Sequence, residues 1–236
     1  MELYSSRLGS SSSAETSALV TCNMRVLVAS ALVCGFAFVL GFVLLLGPLS
    51  LYVENSLDAE FSVGFLQQHF AWLYVWNAVI YVVFGIALVF FSVALYLQIR
   101  CQRSMLALLM LCFGCIWAAH AISAGMLANV GLQRVLELFD IDRSIAESVW
   151  LSTYTIKLGL GGSNEIIGGL WMIMASLVAG RSELINAKLR GYGVLIGACG
   201  CATVVPMWQE MGSVFGLGMI IWFFWMPAVV KAHVTR

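Results

Sequence analysis

Two sets of side chains in this chain have the types and spacing to do chemistry. The first is Cys112-Phe113-Gly114-Cys115. Residues three apart share one face of a helix, so both sulfurs can meet a quinone, a metal or each other. The second is a small group of ionisable and amide side chains set in apolar sequence: His120, Lys157 and Glu165, with Asn77, Asn164 and Glu210. Placing a charge in hydrocarbon costs roughly 2.5–3.5 kcal/mol on insertion scales, so such groups face a cavity or a partner. A carboxylate beside an imidazole can hold or relay a proton, and the same pair can bind a small cation or a polar ligand.

Each set has a plainer reading. The chain has seven cysteines, and unoxidised cysteine often serves as a small apolar packing residue. Cys199 and Cys201 are two apart and point to nearly opposite sides, so at most one can join a level formed by Cys34, Cys112 and Cys115. No cysteine falls in the external loops assigned below, so an outward-facing cysteine pair is excluded. The plainer reading of His120 and Glu165 is a hydrogen-bonded link between two helices. A haem held by His69 and His120 is a weaker reading still, because axial ligands must face each other at one depth and His69 lies at the surface. The run Gly159-Leu160-Gly161-Gly162-Ser163-Asn164-Glu165 is glycine-rich but is no phosphate loop, since neither the preceding strand nor the terminal Lys-Ser/Thr is present. It suits close backbone approach, or a helix that unwinds beside a polar site.

The elements that must position these groups follow from composition. The chain is 61% hydrophobic and 10% charged, with a mean hydropathy of +0.96. Crossing about 30 Å of hydrocarbon takes roughly 20 apolar helical residues. Six stretches qualify, at about 26–53, 70–99, 104–130, 154–180, 191–207 and 212–230, and Pro206 marks the break between the last two. Trp72, Tyr74 and Trp76 open the second stretch, where aromatic rings suit the headgroup boundary. The continuous runs exclude the short alternating strands of a barrel. The fold class is therefore an all-α, polytopic bundle of six transmembrane helices. Residues 1–24, rich in serine, read as a disordered tail, 25–236 as the membrane domain, and 131–147 as an external amphipathic segment lying on the membrane surface. The apolar run from Val26 to Leu46 is longer than a signal-peptide core and reads as an anchor.

Loop charge sets the orientation. With the amino terminus inside, Arg7, Arg25, Arg100, Arg103, Arg181, Lys188, Arg190, Lys231 and Arg236 are cytoplasmic, and Arg134, Arg143 and Lys157 face the other way. Basic residues favour the cytoplasmic side, so both termini are expected there. Counting about 1.5 Å per residue from those ends puts His120 and Glu165 at one height, roughly 24 Å up, and the cysteines near the midplane. The two sets thus occupy distinct levels, with an outward polar cup above the thiols.

The run Glu165-Ile166-Ile167-Gly168-Gly169-Leu170-Trp171 and the later run Phe215-Gly216-Leu217-Gly218-Met219-Ile220-Ile221-Trp222-Phe223-Phe224-Trp225 resemble a bacterial multi-pass family known only as a domain of unknown function. The resemblance spans the second to sixth helices. It implies six helices in a bacterial plasma (inner) membrane and supplies no catalytic residues. The leading functional expectation is a non-enzymatic structural, sensory or small-solute module built around His120 and Glu165. The alternative is a membrane thiol or quinone oxidoreductase using Cys112 and Cys115. Expected partners are the lipid bilayer and a second copy or other membrane protein. No cofactor, metal or nucleic acid is expected.

Overall fold

The computed structural model describes residues 2–54, 58–99, 104–162 and 165–234. Among these there are helices and no strand: α1 (Glu2–Leu46), α2 (Ser50–Glu54), α3 (Ala59–Asn77), α4 (Phe84–Gln98), α5 (Met105–Phe139), α6 (Arg143–Lys157), α7 (Ile166–Arg181), α8 (Ala187–Ala202) and α9 (Met211–Val234). A π-helical turn, Ala78–Val83, joins α3 to α4, and a second, Leu158–Gly162, follows α6. Helix starts are marked by short polar side chains that accept from otherwise unpaired backbone N–H groups. Asp58 accepts from Phe61 N, Ser104 from Ala107 N, Asp142 from Ser144 N and Ile145 N, and Asn186 from Leu189 N.

Six helices close into a ring. α1 packs on α4, α4 on α5, α5 on α7, α7 on α8, α8 on α9, and α9 returns to α1. The ring is filled by aromatic side chains: Phe91, Trp171, Trp222 and Phe223 are fully buried, with ring centroids 5.5–6.2 Å apart. Such pairs add about 0.5–1.5 kcal/mol each beyond the area they bury. One polar bond is sealed inside, from Trp171 Nε1 to Ser92 Oγ at 3.0 Å. Helices α7 and α8 meet backbone to backbone. A Cβ on Gly169 would sit 2.5 Å from both Cys201 N and Gly197 O, so only glycine permits this crossing.

Five segments are long and apolar enough to cross a membrane: Val20–Leu46, Ala59–Gln98, Met105–Phe139, Arg143–Arg181 and Met211–Val230. Two of them, Ala59–Gln98 and Met105–Phe139, have 40 and 35 residues, or about 50–60 Å at 1.5 Å per residue, well beyond the roughly 30 Å of a bilayer core. The excess gathers at one end of the bundle as a helical cap made of α2, the first half of α3, the end of α5, and α6. Arg143 ties the cap together through Glu60 Oε1 and Glu147 Oε1, both at 3.3 Å, and Tyr52 meets Trp150 edge to face at 5.8 Å.

Several expectations are corrected. Residues 131–147 are not a separate element but are divided between α5 and α6. α5 continues to Phe139, the chain turns, and α6 packs back on α5 and α3, burying Ala146, Trp150 and Lys157 along one stripe. The serine-rich segment continues α1 as helix from Glu2, because no proline stops propagation from the apolar part. The first apolar stretch ends at Leu46, where Gly47-Pro48 make a turn, not at 53. α8 has 16 residues, about 24 Å, and is not among the five long segments.

Candidate functional site

The break between α6 and α7 is written in the sequence. Gly161 has φ +138°, a conformation only glycine adopts without strain. Nothing would obstruct a Cβ there, so the demand is for backbone freedom and not for space. The chain restarts at Glu165, whose backbone N–H donates to Thr203 Oγ1 at 2.8 Å. Thr203 in turn donates to Gly200 O at 2.7 Å, so the end of α8 clamps the restart. Across the bundle the π turn of Ala78–Val83 presents Ile80 and Tyr81 toward the same place. Single π turns inside α-helices commonly mark functional sites, because the inserted residue re-aims its neighbours.

Between these irregularities lies a cavity of ≈ 320 Å³. α1 supplies Phe38, Gly41, Phe42 and Leu45, and α2 supplies Tyr52. Trp76, Ile80, Tyr81 and Phe84 come from the α3–α4 rod, Trp117 and Ala121 from α5, and Tyr154, Lys157, Leu158, Gly161 and Glu165 from the broken helix. Trp76 is fixed by donation from Nε1 to Gly41 O at 3.1 Å. Lys157 is 6% exposed, and its Nζ lies 4.7 Å from the ring centroid of Tyr154 and 5.5 Å from that of Trp76. Both distances fall within cation–π range. Among the described residues, neither the Lys157 ammonium nor the Glu165 carboxylate makes a hydrogen bond or an ion pair. One aromatic chamber therefore holds a cation and an acid that do not neutralise each other by contact.

A smaller pocket of ≈ 10 Å³ adjoins it, lined in part by Lys157, Asn77 and Trp150. Asn77 Nδ2 donates to Asn129 Oδ1 at 3.2 Å, and Asn129 Nδ2 donates to Tyr74 O at 3.3 Å. Asn77 Oδ1 and Trp150 Nε1 are buried without a partner.

The sequence-derived site is thus partly assembled and partly dispersed. Lys157 and Glu165 share the large cavity, and Asn77 stands beside it. His120 does not line it. Trp117 and Ala121 project inward from α5, and at 100° per residue position 120 is rotated to the flank, where His120 is half-buried. The cavity therefore brings Glu165 together with Lys157 and not with His120. Glu210 is exposed in the turn between α8 and α9, and Asn164 lies outside the described residues. His69 stacks on Phe65 at 4.0 Å within the cap, away from His120.

Cys112 and Cys115 share a face as expected, but that face is the exposed outside of the ring. The buried member of their motif is Gly114, whose missing side chain admits Ser92 Oγ and Trp171 Nε1. Cys34 is buried and Cys201 half-buried, with its Sγ 3.9 Å from Ile166 O. No disulfide and no cluster of metal ligands occurs among the described residues. Sequence reasoning missed Tyr81, Tyr154 and Asn129. Asn129 alone carried a signal, as an amide near the end of a long apolar run.

No protein-family model, curated protein or solved structure matches the chain.

Proposed function

We propose that the chain is a non-enzymatic small-solute module of a bacterial plasma membrane, crossing it six times with both termini in the cytoplasm. The capped cavity on Lys157 and Glu165 is its solute site. The observation that carries this reading is the unpaired cation and acid on the wall of one aromatic chamber, at a helix break. Irregular backbone at membrane depth is tolerated where it lines a cavity, and pockets of this size, apolar with a few polar groups, are the usual form of small-molecule sites.

Six crossings are supported by the closed ring. α8, although short, packs between α7 and α9 in that ring. The orientation is supported by charge. The cap end carries Asp58, Glu60, Glu137, Asp140, Asp142 and Glu147, and the opposite end carries Arg181, Lys188 and Arg190. The cap is then external and the cavity lies beneath it, in the outer part of the membrane. The bacterial family that the glycine and tryptophan runs resemble is the proposed kin.

Ala121→Cys tests the reading. Ala121 lines the cavity and is 7% exposed, so a small charged thiosulfonate added outside intact cells reaches position 121 only if the cavity is wetted from that side. Labelling above the wild-type background is expected. A position that stays unlabelled in folded protein refutes a solute site.

A further inference from the structure

Resting on the small-solute reading, we propose that the cavity takes an amphipathic zwitterion, a molecule whose anionic group meets Lys157 and whose ammonium group meets Glu165 across an apolar linker. Lys157 is almost wholly buried, yet among the described residues its ammonium meets only the faces of Tyr154 and Trp76. Ring faces attract a cation but leave its N–H donors unfilled. An anionic oxygen is the acceptor they lack. Glu165 poses the complementary demand: its backbone N–H is satisfied by Thr203, and its carboxylate is unpaired among the described residues.

The two charges do not quench each other, because no ion pair joins them although they share one chamber. The two charges must therefore be met separately, which suits a molecule whose charges stand apart better than an α-amino acid, whose ammonium and carboxylate are attached to one carbon. The same lining includes Tyr81, Phe84 and Trp117, with Phe84 and Trp117 edge to face at 5.1 Å. These surfaces suit a methylene chain. A solute of one sign would leave the other charge unanswered, which costs more than an unmade neutral bond.

The test uses the full chain in nanodiscs of phosphatidylethanolamine and phosphatidylglycerol, titrated calorimetrically with ε-aminocaproate, its methyl ester and its N-acetyl derivative. The ester removes the anion and the acetyl group removes the cation, so the unmodified protein reports on both contacts without any mutation. The zwitterion is expected to bind roughly tenfold or more tightly than either derivative, the factor that about 1.4 kcal/mol of one charge-assisted contact gives. Lys157→Met is expected to abolish the preference over the ester only, and Glu165→Gln the preference over the acetyl form only. A derivative that binds as well as the parent overturns the proposal. So does the absence of heat from all of them at millimolar concentration. If Ala121→Cys is labelled from outside while no zwitterion binds, this inference fails and the solute reading stands. If position 121 is never labelled, both fail.

Discussion

Replacing Lys157 by Met separates a residue kept for binding from one kept for stability. The side chain is 6% exposed, and its charge is met only by two rings at 4.7 and 5.5 Å. A lysine within a spanning helix costs roughly 2.5–3.5 kcal/mol. Each ring offsets about 0.5–1 kcal/mol where the ammonium retains some hydration from a cavity. Methionine is of similar length and lies along the same aromatic faces, so the packing persists and the charge cost disappears. The difference predicts that Lys157→Met is more stable than the parent by about 1–2 kcal/mol, or a melting temperature some 2–8 °C higher at 2–4 °C per kcal/mol. Tryptophan fluorescence during thermal unfolding in nanodiscs measures it directly, and Lys157→Arg, which keeps the charge, serves as the control. A drop in stability of more than about 1 kcal/mol refutes the reasoning, because it means that a compensating network holds the ammonium in place as a structural element.

Other outcomes follow from the same geometry. Gly169→Val places side-chain atoms against Gly197 O and Cys201 N, backbone that no rotamer change relieves. It is expected to cost upward of about 3 kcal/mol and to be seen as loss of folded monomer in size-exclusion chromatography. Gly161→Ala meets no atom but must adopt φ +138°, so a loss of about 1–3 kcal/mol in the same thermal assay is expected. The double variant Cys112→Ser, Cys115→Ser should stay within about 0.5 kcal/mol of the parent, and mild oxidant should leave both thiols free by mass mapping. A disulfide formed between Cys112 and Cys115 would restore the redox alternative. For topology, Met207→Cys, 88% exposed beyond the end of α8, is expected to react with an impermeant maleimide on intact cells, and Ala187→Cys only after permeabilisation. Labelling of both from one side would mean that α8 does not cross.

What the sequence disclosed and what it concealed divide along physical lines. Apolar length marked the helices, because the bilayer demands it, but apolar length does not say where a helix stops once it leaves the lipid. That is why α3 and α5 begin or end outside their expected bounds and why the cap was missed. Lys157 and Glu165 stood out as charges in apolar surroundings, and the glycines around Gly161 pointed to the break between them. His120 stood out for the same reason and yet lies off the cavity, since depth can be counted along a helix but rotation about it depends on neighbours that a sequence does not show. Trp76 fits a headgroup belt by position, and Trp72 and Tyr74 are indeed exposed. Trp76 itself turns inward to Gly41 and Lys157, a choice made by its bond to α1 and by the π turn that follows it.

That π turn and the break at Gly161 have a common consequence for the charges. An unbroken helix through 143–181 would pair its backbone groups internally and leave Lys157 and Glu165 mid-helix, with no terminal field on either. Ending α6 at Lys157 places the cation in a final turn, where the macrodipole is negative, and starting α7 after Glu165 places the acid at a first turn, where it is positive. Each contribution is about 0.3–1 kcal/mol at an exposed site and more when partly buried. The break thus lowers the cost of keeping both groups charged without joining them, which a direct salt bridge would also do but only by consuming the groups themselves. The Ala78–Val83 turn contributes Tyr81 to the same lining. If the site were merely a packing fault, nothing would require the two irregular turns to line one chamber that also holds the buried Lys157 and the half-buried Glu165.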